Sequence, residues 1–226
     1  MYQTEFDGQH HELGTSGFLY RSNKLMFDQK TESLWSTIQG EPVVGKLVGR
    51  GIKLDRHYVV TTTWGKWKKR HPDTKVLSLE TGHERDYGEG VAYRRYFSND
   101  SLMFPVPKID DRLLNKDEVF ALREGDEQLA ISIEYLATNR IYTDRVGDLE
   151  FVILSDEDGT SRAYEKGDAT FEEFDGLETA IDSDGGMWTV SEEAITSGDK
   201  TLRRVSSHRA FWFGWYSQYP ETRLIK

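Results

Sequence analysis

Apolar and polar positions alternate with period two along much of this chain, and glycine, asparagine and aspartate break the alternation into short runs. Such runs predict strands joined by tight turns. "ELGTSGFLYRSN" followed by "KLMFD" predicts a hairpin about Ser22-Asn23, and "DLEFVILSDEDGTSRAYEK" predicts a second hairpin turning at Asp158-Gly159. "EVFALREG" and "RIYTDRVG" are further strand candidates, and "QLAISIEYLATNR" starts as a strand and ends as a helical turn. One stretch departs from this rhythm. In "TTTWGKWKKRHPDT" Trp64 and Trp67 are three apart and share one helical face. Thr61, Thr62 and Thr63 supply caps, and Pro72 ends the helix by restricting His71. "KVLSL" then predicts a strand.

The same pattern recurs 148 positions later in "WFGWYSQYPETRLI". Trp64 and Trp212, Trp67 and Trp215, His71 and Tyr219, Pro72 and Pro220, and Thr74 and Thr222 all keep that offset. Ser206 or Ser207 is the expected cap of this second helix, and "RLI" its strand. Upstream, "DQKTESLW" resembles "DSDGGMW", and Gly45 falls opposite Gly198. All six tryptophans lie in these repeated motifs. The expectation is an α+β fold, predominantly β. It forms a single domain over 1–226, with pseudo-repeated halves 10–80 and 118–226 joined by an irregular segment 81–117, and the paired indoles anchor each short helix to a common interior.

Composition narrows the function classes. A net charge of −10 opposes nucleic-acid binding, because displacing counterions from phosphates needs a basic face. The one dense basic cluster, Lys66, Lys68, Lys69 and Arg70, reads as the solvated side of a short helix. No apolar run reaches the length of about 20 residues that crosses a bilayer, and the start of the sequence lacks a signal-peptide pattern. The absence of cysteine excludes disulfides and thiolate chemistry without fixing the compartment.

The candidate chemistry is sparse. His10 and His11 are metal-ligand types, yet adjacent residues of a strand point to opposite faces. His83 and Asp86 in "HERD" would converge on a helix, but Gly82, Gly88 and Gly90 make this a loop. His71 with Asp73 and Glu80 offers a base and an orienting carboxylate, although Tyr219 at the matching position argues for a structural ring. Asp156 and Asp158 lack the remaining ligands of a calcium loop and read as a turn. His208 and Arg209, beside Phe211 and Trp212, could line a pocket where the halves meet. No cofactor is expected.

The segments "GTSGFLYRSNKLMFDQKTESLWSTIQGEPVVGKLVG", "HPDTKVLSLETGHERDYG", "DDRLLNKDEVFAL" and "AFWFGWYSQYPETRLI" together resemble the family named domain of unknown function 3179. The resemblance carries no activity, substrate or catalytic residue. It implies a further block with a Cys-Pro-x-Cys-like motif ahead of "SGFLY", which this sequence does not contain, so the first copy reads as shortened at its amino end. It also implies that longer relatives are exported or surface-associated. The leading expectation is a non-catalytic binding or structural module, with a small-molecule or protein partner, or a partner chain that supplies the block. The alternative is an enzyme or metal-dependent redox protein whose site lies between the halves and uses His71, His83, Asp86 or His208.

Overall fold

A computed structural model describes residues 1–88 and 90–226. Among the described residues the alternating segments become strands in five sheets. β1 (Glu5–Phe6) and β2 (Gln9–His10) form a ribbon ahead of a four-stranded antiparallel meander. That meander runs β3 (Leu13–Tyr20), β4 (Asn23–Asp28), β5 (Leu34–Ser36) and β6 (Pro42–Val44). α1 (Trp64–Arg70) and the short α2 (Arg94–Phe97) follow. The second half opens with the hairpin β7 (Glu118–Glu124) and β8 (Glu127–Ser132), then α3 (Ile133–Thr138). β9 (Ile141–Val146), β10 (Leu149–Ser155) and β11 (Ser161–Glu165) make a three-stranded sheet. β12 (Phe171–Phe174), β13 (Thr179–Asp182), β14 (Met187–Val190), β15 (Ala194–Ser197) and β16 (Lys200–Arg203) form a five-stranded meander. The chain closes with β17 (Ser207–Phe211), α4 (Trp212–Gln218) and β18 (Arg223–Ile225).

The fold is predominantly β with a few short helices. The hairpin β7–β8 is the centre of the second half, and its sequence shows why. "EVFAL" and "LAIS" are apolar at consecutive positions, the signature of strands covered on both faces. Phe120, Leu122, Leu129 and Ile131 pack on Phe151, Ile153, Ala163 and Val205. Val119, Ala121 and Ala130 face the other way, against Trp212 and Trp215. Both edges are filled too, because β17 pairs antiparallel with β7 and β18 pairs parallel with β8. β17 and β18 therefore run in the same direction, joined by α4, with two strands between them.

Several expectations change on contact with the structure. Residues 75–79, predicted as a strand, join no sheet, and Leu77 is 94% exposed. The cap of α4 is Phe211 rather than Ser206 or Ser207, since Ser207 already belongs to β17. The β3–β4 turn falls on Arg21 and Ser22, whose φ values of 49° and 61° give the left-handed pair that matches strand twist. The meanders follow the Trp motifs. Asp28 and Asp182 end β4 and β13, and each accepts a hydrogen bond from the N–H two residues on, at 3.0 and 3.1 Å. Trp35 and Trp188 follow on buried strands. Gly45 (φ +102°) and Gly198 (φ +56°) share a left-handed backbone, but only Gly45 is hemmed in, where a Cβ would come within 2.9 Å of Ser33 Cα.

Candidate functional site

The two Trp-bearing helices close in the same way. His71 and Tyr219, the residues ending α1 and α4, both have φ −128° and ψ 72°. The indole of Trp67 donates to Thr74 Oγ1 at 3.0 Å, and that of Trp215 donates to Thr222 Oγ1 at 3.0 Å. His71 packs its ring on Trp67 with centroids 4.1 Å apart, as Tyr219 does on Trp215 at 4.6 Å. The histidine in the first copy thus occupies a tyrosine's packing position, as the offset in sequence leads one to expect.

What surrounds the two helices differs. Trp212 and Trp215 are fully buried beneath β7–β8. Trp64 is 50% exposed, and α1 buries none of its residues. Residues 59–63 and 75–77 flank α1 at the positions that β17 and β18 hold around α4, yet no strand pairs with either among the described residues. Val76, Leu77 and Leu79, in the segment that follows α1, are exposed as well, so apolar side chains on both sides of the Pro72 turn face water.

The opposite side of α1 is held by charge. Lys66 Nζ donates to Asp156 Oδ2 at 2.8 Å and pairs with Asp158. Arg70 donates to the carbonyls of Leu177 at 3.1 Å and Val190 at 2.8 Å. Behind it, Glu192 accepts Arg162 Nη2 at 2.7 Å and Arg204 Nη1 at 3.2 Å. Burial opposes the charged form of Asp156, but the bonds from Lys66 and from the N–H groups of Thr160 and Asp158 outweigh it and hold its carboxyl below the ordinary range. Gly176 completes this junction: its φ is +87°, and a Cβ there would come within 2.8 Å of Arg140 Nη2. A cleft of about 330 Å³ opens here, with Thr62, Lys69 and Asp175 on its walls. Charge patterning makes the basic run a solvated face; two of its four members instead clamp the helix to the second half.

The residues singled out from sequence do not converge. His10 is exposed, whereas His11 is buried, stacked on Phe6 and joined through Nδ1 to Asp28 Oδ2 at 3.0 Å. No group of three or more metal-ligating side chains occurs among the described residues. His83 and Asp86 are exposed, and Asp86 caps the N–H of Gly88 rather than meeting the imidazole. His71 Nε2 is buried without a hydrogen-bond partner among the described residues. Arg209 bridges Glu118 at 3.1 Å and the Gly159 carbonyl at 2.8 Å, and Trp212 is core.

His208 stacks edge-on against Trp215 at 5.5 Å. Burial foremost, and neighbouring positive charges including Arg123 and Arg56, lower its pKa to about 4. The unfolded chain then takes up a proton between about pH 6.5 and 4 that the folded chain refuses. As pH falls through that window stability should drop by about 3 kcal/mol, at 1.36 kcal/mol per unit. Urea titrations of the wild type and His208→Gln at pH 7 and pH 5 check this, and an equal pH dependence in both would refute it.

A family model described as "Protein of unknown function (DUF3179)" matches residues 1–222. The chain belongs to the DUF3179 family. No curated protein and no solved structure matches it. In this DUF3179 chain no helix among the described residues is long and apolar enough to cross a membrane. The uncovered side of α1 was missed in the sequence, although one signal was available. "EVFALREGDEQLAIS", with apolar residues at consecutive positions, lies ahead of the second Trp motif, whereas the hairpin ahead of the first, "ELGTSGFLYRSN" with "KLMFD", is broken by polar positions.

Proposed function

We propose that this DUF3179 chain is a non-catalytic binding module that takes up a polypeptide in extended conformation against α1 and its two flanking segments. One observation carries the reading: residues 59–63 and 75–77 flank α1 as β17 and β18 flank α4, with no strand pairing either. The Val59 carbonyl accepts from Arg204 Nη2 at 3.3 Å and the Thr63 carbonyl from the Trp67 N–H at 3.0 Å; backbone groups without a strand partner are the recognition chemistry of strand addition, and adjacent apolar side chains supply affinity. Trp64, Val76 and Leu77 provide that apolar surface.

The reading is tested with synthetic peptides of alternating small-apolar and polar sequence, as single strands and as hairpins. Trp64 is half exposed and Trp67, on the same helix, is partly exposed, while Trp35, Trp188, Trp212 and Trp215 are buried, so a shift of emission to shorter wavelength reports on this surface. At least one peptide should give a saturable shift and slow amide exchange at Val76 and Leu77. If none does at millimolar concentration, the reading is wrong.

A further inference from the structure

We infer that the partner delivers a two-stranded β-hairpin, inserted between residues 59–63 and 75–77, with alanine- or valine-sized residues on the face that meets Trp64 and Trp67. The inference rests on the polypeptide-binding reading above and specifies its ligand.

The second half supplies the argument. There, β17, α4 and β18 form a split βαβ unit, two parallel strands joined by a helix, with exactly one hairpin, β7–β8, in the gap. The first half reproduces the framing parts. The helix starts at the matching residue, ends on the same backbone angles and carries the same indole-to-threonine bond. The spacing from segment to helix to segment is identical residue for residue. A gap framed in this way spans two strand positions at about 4.8 Å per strand. A single added strand would leave one of its two edges unpaired.

Side-chain size follows from the filled gap. Trp212 and Trp215 lie on Val119, Ala121 and Ala130, which are small enough for two indoles to reach the sheet. Leu224, at the position of Val76, packs in that same cluster, whereas Ile225, at the position of Leu77, faces the opposite side with Phe120 and Leu122. The partner's hairpin must therefore run antiparallel to 59–63, run parallel to 75–77 through its second strand, and have its far face covered by its own body. A second copy of this chain is a poor source, because its own hairpin is paired on both edges and buried on both faces.

The probe is a synthetic peptide of residues 117–132, the chain's own hairpin, compared with the single strands 118–124 and 127–132, each added to the full chain. The hairpin should bind saturably, shift Trp64 emission, and slow amide exchange at both 59–63 and 75–77. Val76 is 66% exposed, so Val76→Asp should keep the wild-type melting temperature. Placing its carboxylate against the indoles should weaken hairpin binding at least about tenfold. If a single strand binds as tightly as the hairpin, the inference fails and the binding reading stands. If no peptide protects either segment, both fail. If the chain alone protects both segments and sediments as a dimer that Val76→Asp dissolves, a second copy fills the gap and the inference of a foreign hairpin is overturned.

Discussion

Replacing Glu192 with glutamine is expected to destabilise the protein by about 3–5 kcal/mol, the usual cost of removing one partner from a buried ionic cluster. Among the described residues, Glu192 is the one carboxylate paired with Arg70, Arg162 and Arg204, whose side chains are almost entirely withdrawn from water. An amide keeps the shape and one acceptor but leaves three guanidinium groups crowded without a counter-charge. The same residue sets a pH dependence. Burial raises the pKa of the Glu192 carboxyl, yet the hydrogen bond and charge of Arg162, then the charges of Arg204 and Arg70, prevail and hold it below the glutamate value of 4.5. A depressed folded pKa means that the unfolded chain binds the proton first as pH falls. The contribution of Glu192 is therefore complete above about pH 4.5 and is lost below it. Urea denaturation at neutral pH should show the loss in Glu192→Gln, and acid titration should show a shallower decline than in the wild type. A variant as stable as the wild type would mean that the arginines find solvent or other partners.

The second large effect is a contrast between tryptophans that share one local geometry. Trp215→Ala should cost about 3–5 kcal/mol, since it empties a fully buried site beneath β7–β8. Trp67→Ala should cost less than about 1.5 kcal/mol, because it removes a half-buried ring with one hydrogen bond to Thr74. The helix, the cap angles and the indole-to-threonine bond match, so the difference measures the packing that the first helix lacks. Equal losses in chemical denaturation would show that the Trp67 side of α1 is already covered in solution, and would count against an open binding surface.

The parts of the fold that depend on near neighbours in the chain were legible. Thr63 caps α1 through its hydroxyl, Pro72 and Pro220 follow the two helix ends, and Asp158-Gly159 turns a hairpin, each set by a few adjacent residues. The consecutive apolar positions of "EVFAL" are those of a strand covered on both faces, but they do not say which distant elements cover it. "KVLSL" shows the boundary most clearly. Its composition suits a strand as well as that of "RLI", yet only "RLI" has an open edge beside it, on β8. Strand formation is a property of the pair, so a propensity read on one member cannot decide it.

The charged junction behaves the same way. Lys66 and Arg70 look like any other members of a basic run until Asp156, the Leu177 and Val190 carbonyls and Glu192 arrive from far along the chain. By itself the sequence determined two matching helix–turn motifs and a β-rich fold, because those follow from spacing and side-chain shape; the expectation that both indole pairs are anchored in the interior holds for Trp212 and Trp215 and fails for the first pair, where Trp64 is half exposed. Only the tertiary structure decided that one motif is roofed by a hairpin and the other left open, since burial depends on which distant strands reach the same place.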